Sequence, residues 1–135
     1  MLNYLPGEQA IEQALTAIAR ALRPGGLLAI DLCDLTYGRA RRDVPSAARV
    51  HDDWAIITRF SLPEPNRFVR QCTTFVRNDD RSWRRDDETH HNVLVDTGRV
   101  PALLAAEGIQ IKVARAFGTE QLPAGLHVLI GQRAA

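Results

Sequence analysis

The order of apolar and polar positions divides the chain into a helix-and-strand frame with a different kind of segment set into it. Ile11, Ala14, Leu15, Ile18, Ala19 and Leu22 recur at steps of three and four, which places them on one face of a helix over residues 8–22. Glu8 opens that helix and Arg20 and Arg23 close it, as its dipole prefers. Pro24 cannot continue the helix, and Gly25-Gly26 tolerate the backbone of a tight turn. Residues 27–32 are apolar except Asp31, a run that predicts a short strand buried on both faces, as in parallel sheets flanked by helices.

Residues 33–53 lose this regularity and read as a surface loop or short helix. Three strand-like runs follow, at 54–61, 68–77 and 83–94, broken by Leu62-Pro63-Glu64-Pro65-Asn66 and by Asn78-Asp79-Asp80-Arg81. They predict an antiparallel meander, with Trp54, Ile56 and Phe60 sharing its covered face. A short helix is expected near Val100, capped by Asp96 or Thr97, with Pro101 in its first turn and Gly108 as its stop. Ile109, Ile111 and Val113 alternate as a strand, and residues 126–132 form the last one.

Composition narrows the function classes. The 135 residues are 45% hydrophobic and 24% charged, which suits one globular domain. The net charge of +1 gives no global field toward nucleic acid or membrane. Aromatic residues are too few and too poorly interleaved with arginine to form a base-stacking platform. No apolar run is long enough to cross a bilayer. Cys33 and Cys72, the only cysteines, match no chelating or disulfide spacing, so the reading is a cytoplasmic protein in a reducing interior.

At this point three stretches, Asn3-Tyr4-Leu5, the Ala21–Leu32 segment ALRPGGLLAIDL and the Val100–Ile111 segment VPALLAAEGIQI, give the chain a family resemblance. It resembles the C-terminal half of a class I S-adenosylmethionine-dependent methyltransferase. The resemblance implies an α/β fold: a partial Rossmann-like methyltransferase sheet, strands 5-7-6, with an inserted three-stranded antiparallel sheet. Residues 1–135 would be a single partial domain with the insert at about 51–95. The family's glycine-rich turn after its first strand and its ribose-binding acid after the second have no counterpart here. Gly25-Gly26 precede a strand instead of joining a strand to a helix. The resemblance therefore implies S-adenosylmethionine as cofactor, with weak or no binding by this chain alone, and a truncated or mis-started chain. It implies a small-molecule methyl acceptor as substrate, with a homo-oligomer or a missing N-terminal half as partner.

The same resemblance assigns candidate roles. Asn3 and Tyr4 would face the methionine end of the cofactor, Asp31 the active-site rim, and Tyr37 the substrate side. His90 would reach the cleft from the insert as a base. Each has a structural alternative: a local turn bond for Asn3, packing for Tyr4 and Tyr37, a loop cap for Asp31 and an ordinary surface position for His90. His90 and His91 point to opposite faces of a strand and cannot chelate one ion, so no metal is expected. A non-catalytic binding or dimerisation module stands as the alternative to the enzyme, and a functionless remnant reading frame as a third.

Overall fold

The periodic segment after Gly7 forms helix α1 (Glu8–Ala21), seen in a computed structural model that describes residues 1–44 and 46–134. Its apolar stripe buries Ile11, Leu15 and Ala19. Leu22 ends the helix in an extended conformation, and Gly25 takes the positive φ of 74° that the reversal requires. Arg133, at the far end of the chain, donates to the carbonyls of Ala19, Arg20 and Leu22 and so closes the helix terminus that no fourth-residue amide reaches.

Chain order then gives β1 (Leu27–Cys33), α2 (Leu35–Arg42), β2 (Ser46–Val50), β3 (Trp54–Glu64), β4 (Arg67–Arg77), β5 (Trp83–Val93), α3 (Val100–Ala105), β6 (Ile109–Ala114), β7 (Ala116–Phe117), β8 (Glu120–Gln121) and β9 (Leu126–Arg133). β1, β9 and β6 form one sheet in that order, with β9 antiparallel to both neighbours. β1 and β6 therefore run parallel, which reproduces the 5-7-6 arrangement. β2, β3, β4 and β5 form a separate antiparallel sheet, and β7 and β8 pair as a small hairpin.

Two details depart from the sequence reading. First, the insert has four strands, not three, because Ser46–Val50 adds to the edge of β3 in register Ser46↔Arg59 to Val50↔Ala55. Every residue of β2 is exposed, so no hydrophobic alternation announces it; the backbone ladder alone holds it. Pro45, within the stretch expected as loop or short helix, lies outside the described residues. The proline-rich break is also shorter than expected. β3 runs on to Glu64 through a register shift between Ser61 and Glu64, which accommodates Pro63 where a ladder donor is missing. Second, β1 is not buried on both faces. Leu28 and Leu32 are covered, whereas Leu27 is 74% exposed. α1 and α3 cover one face, and the insert reaches only the carboxyl end of the other.

Two apolar clusters result. One joins α1, β1, α3, β6 and β9 through residues such as Leu15, Leu32, Leu104, Ile109 and Leu129. The other places Cys33, Phe68 and Leu94 between the insert and α2. Trp54, Ile56 and Phe60 share the half-buried face of the insert, as their alternation predicts, while Ile57 on the other face is exposed. Gly38 lets α2 approach this sheet: a Cβ there would meet Leu62 Cδ1 at 2.6 Å and Leu94 Cδ1 at 2.8 Å.

The two sheets meet at the end of β1. Asn3, fully buried, donates from Nδ2 to the carbonyls of Cys33 (3.1 Å) and Val93 (2.6 Å) and accepts from the Cys33 amide (2.9 Å). The Val95 amide donates to the Cys33 carbonyl, and the Leu35 amide to the Val95 carbonyl. Asn3→Ala is expected to destabilise the chain by about 2–4 kcal/mol, since it leaves buried backbone groups without partners; urea denaturation measures this.

Candidate functional site

The inner face of the insert, read across its register, carries a row Phe60–Arg70–His90, then Thr58–Cys72–Glu88, then Ile56–Thr74–Asp86. β2 extends the second row with Ala47 and the third with Arg49. Tyr37 and Arg41 of α2 face these rows. Between them lies a cavity of about 490 Å³, lined by Tyr37, Arg41, Arg49, Phe60, Arg70 and His90 among others. Strand alternation is what brings this set to one surface. His91, one residue on, is exposed on the opposite face.

A chain of polar groups runs along one side of the cavity. His90 Nε2 lies 3.1 Å from Glu88 Oε2, and His90 Nδ1 lies 3.0 Å from the Tyr4 hydroxyl. A carboxylate only accepts, so a neutral His90 carries its proton on Nε2 and donates to Glu88. Nδ1 is then the acceptor, and Tyr4 is the donor to it. Arg70 Nη2 donates to the Tyr4 oxygen over a longer 3.4 Å. The order of donation, Arg70 to Tyr4 to His90 to Glu88, leaves the half-exposed Tyr4 as the outer end of a hydrogen-bonded relay.

Tyr37 lies under the Arg41 guanidinium, 3.5 Å from its ring centroid, and edge-on to Phe68 at 5.3 Å. Burial raises its phenol pKa and keeps it protonated, although Arg41 and Arg70 pull the other way. Burial also pushes the Cys33 thiol up to about 11, with Asp31 adding to the effect, so Cys33 is a packed thiol.

The structure thus brings Tyr37 and His90 to one cavity; Tyr4 does not line it and is joined to it through its hydrogen bond to His90. Asn3 does not join them: it is buried, and its amide is engaged by the backbone of Cys33 and Val93. Asp31 is half-buried on β1 opposite Val128 and does not line this cavity. Arg70 and Glu88 complete the site, and sequence reasoning missed both. Their signal was alternation with His90: Glu88 sits two residues before it, and Arg70 is its cross-strand partner.

A second polar knot sits at the start of α2. Asp34 Oδ1 accepts from the Thr36 amide and hydroxyl and caps the helix. Asp34 Oδ2 accepts from the Thr97 amide and hydroxyl. Since the Thr97 hydroxyl gives its hydrogen to Asp34, His127 Nδ1, 2.6 Å away, must donate to Thr97 Oγ1. The knot ties β1, the turn before α3 and β9 together. Asp96, not Thr97, caps that turn, by accepting from the Gly98 amide.

Comparison with known proteins places the fold. No family model matches the chain. It is 27% identical over 124 residues to a protein of Geobacillus sp. (strain WCH70) named as a putative methyltransferase, covering 90% of this chain and 50% of that protein. The solved S-adenosylmethionine-dependent methyltransferase of Clostridium acetobutylicum ATCC 824 superposes with a TM-score of 0.77 at 13% identity, over 99% of this chain and 55% of that one. An amino pentose methyltransferase from Micromonospora echinaspora, solved with S-adenosylmethionine bound, gives a TM-score of 0.67 at 12% identity, over 98% of this chain and 54% of that one. The chain spans about half the length of the relatives it matches.

Burial raises the Asp34 pKa, but the four hydrogen bonds from Thr36 and Thr97 outweigh it and hold the carboxyl below its usual range. Its contribution to stability is therefore full above about pH 4 and lost as pH falls through the lower folded value. Asp34→Asn is expected to flatten the acid limb of the stability curve, followed by denaturation midpoints across acidic pH. The chain has the fold of about half of a class I S-adenosylmethionine-dependent methyltransferase.

Proposed function

We propose that this chain forms the acceptor-side half of an S-adenosylmethionine-dependent methyltransferase acting on a small molecule. The observation that carries the reading is the Glu88–His90–Tyr4 relay, in which Glu88 and His90 line the cavity between the insert and α2 and Tyr4 bonds His90 beside it. Transfer of a methyl group from a sulfonium requires alignment of the acceptor and, for a protonated acceptor, removal of its proton. In this reading Tyr4 receives that proton while passing its own to His90 Nδ1. Glu88 holds the opposite ring nitrogen and stabilises the resulting imidazolium. Tyr37 and Phe60 give the acceptor an apolar wall.

In this reading the described residues supply the acceptor side and not the whole cofactor site. Gly25-Gly26 lie between α1 and β1, and a Cβ on Gly26 would meet the Arg23 carbonyl at 2.8 Å, so these glycines serve the turn itself. The cofactor's ribose and adenine contacts would come from another segment with the first half of the fold. The similarity to a sugar-directed enzyme supports a small polar acceptor, and the insert would cover it.

A second reading, a non-catalytic dimerisation module, is favoured by one observation: among the described residues β1 is ladder-paired only with β9, and Leu27 on it is exposed. A concentration-dependent dimer in sedimentation, with no methyl transfer after a cofactor-binding half is supplied, would support that reading.

Calorimetry of the chain alone is expected to show negligible binding of S-adenosylmethionine; micromolar affinity would overturn the division of labour. Joined to a cofactor-binding half of this fold, the chain should methylate a small acceptor. Tyr4→Phe and His90→Ala should each lower kcat by roughly 100-fold with melting unchanged. Unchanged turnover in both variants removes the relay from the mechanism.

A further inference from the structure

Arg70 is placed where a cation is costly. It stands on β4 between Phe60 and His90, and its Nε is buried without a hydrogen-bond partner. Among the described residues no carboxylate lies within ion-pair distance of Arg70 or Arg49. The acid nearest in register, Glu88, is engaged by His90 instead. Among the described residues the one hydrogen bond of the Arg70 guanidinium is the long contact to Tyr4. By contrast, Arg84 and Arg85 on the exposed end of β5 each pair with an aspartate at 2.9 Å. Solvent screens the exposed arginines that lack a carboxylate; Arg70 lacks one where the cavity partly desolvates it. A half-buried guanidinium without a counter-ion destabilises the fold unless something else supplies the charge.

The surroundings indicate what supplies it. Arg41 adds a second positive charge on the cavity wall, though its Nη1 donates to the Tyr37 and Ala124 carbonyls. Arg49 adds a third, four residues along the β3 register from Arg70, or about 13 Å along the strand direction. Three arginines and one histidine-paired glutamate give the cavity a positive field. The walls beside Arg70 are aromatic, Phe60 and Tyr37, and so keep the dielectric low.

We infer that the Arg70 guanidinium binds an oxyanion, a carboxylate or phosphate carried by the small acceptor, and sets it beside Tyr4 and His90. The planar fork suits such a group. Arg49, exposed on β2, draws the anion in and contributes less once it is bound. The inference rests on the acceptor-side reading of the cavity and names the class of acceptor: a small anionic molecule with an apolar ring or chain next to its charge.

Two simple anions, benzoate and phenyl phosphate, test it against neutral benzyl alcohol, by nuclear magnetic resonance titration of the isotope-labelled 135-residue chain. Both anions should shift the Arg70 guanidinium N–H resonance and the amides of Arg70 and His90 saturably in the millimolar range, and benzyl alcohol should not. Arg70→Gln should weaken benzoate binding at least about tenfold, and Arg49→Gln by less. Should Arg70→Gln fail to fold, Arg70→Lys, which keeps the charge and loses the fork, and the wild-type titration carry the same decision. Equal shifts with benzyl alcohol, shifts spread evenly over all arginine side chains, or undiminished binding by the Arg70 variant would overturn the inference. Because the titration needs neither cofactor nor turnover, the two readings fail separately. Saturable anion binding with no methyl transfer to any acceptor retains the anion site and rejects the enzyme. Methyl transfer to neutral acceptors, insensitive to Arg70→Gln, retains the enzyme and rejects the anion site.

Discussion

Everything in this chain hangs on the carboxyl end of β1, where one buried asparagine joins two sheets that share no ladder. A strand end is the hardest place to satisfy backbone groups, because the pairing stops while burial continues. Asn3 is suited to it because a carboxamide both donates and accepts. Its Nδ2 holds the carbonyls of Cys33 and Val93 together, and its Oδ1 takes the Cys33 amide. One residue further along β1 the Asp34–Thr97–His127 knot does the same for α2, the turn before α3, and β9. The insert is thereby fixed to the carboxyl end of β1.

That junction also explains where the chemistry gathers. Tyr4 is adjacent to Asn3, so the anchoring of one places the other against His90 on β5. Tyr37 follows the capped start of α2, and its backbone is held close to Gly125, whose φ of +79° and lack of a Cβ permit the approach. Asn3 and Asp34 hold the frame, Tyr37 faces the cavity, and Tyr4 bonds His90 on its wall. Another groove, of about 510 Å³, lies between α1 and the segment leading into α3, but it brings together no relay of this kind.

The division between the two clusters of apolar residues matches the division of roles. The larger cluster, under α1 and α3, has an interior of leucine, isoleucine and valine that serves packing alone. The smaller one, between α2 and the insert, is built from Phe68, Leu94 and Cys33 and borders the cavity with Tyr37 and Phe60. Arg70 sits at that border, where one side is apolar and the other open. The fold shared with methyltransferases of twice the length accounts for the first cluster. The second lies between α2 and the insert, beside the polar rows of the inner face.

The sequence by itself determined the frame. Helical spacing in residues 8–22, the Pro-Gly-Gly turn and the alternation of residues 109–113 are local signals, and each produced the element it indicated. The face shared by Trp54, Ile56 and Phe60 was legible for the same reason, since strand period is a property of the backbone. Tertiary structure alone decided the rest. β2 has no hydrophobic pattern because all its residues are exposed, so only the edge of β3 could make it a strand. Leu27 is exposed because burial on both faces of β1 needs elements that local sequence does not contain. Asn3 became a latch because the carbonyls it holds, Cys33 and Val93, lie 30 and 90 residues away. The pairing of Tyr4 with His90 spans 86 residues. No window of sequence contains such a contact; the crossing of two sheets does.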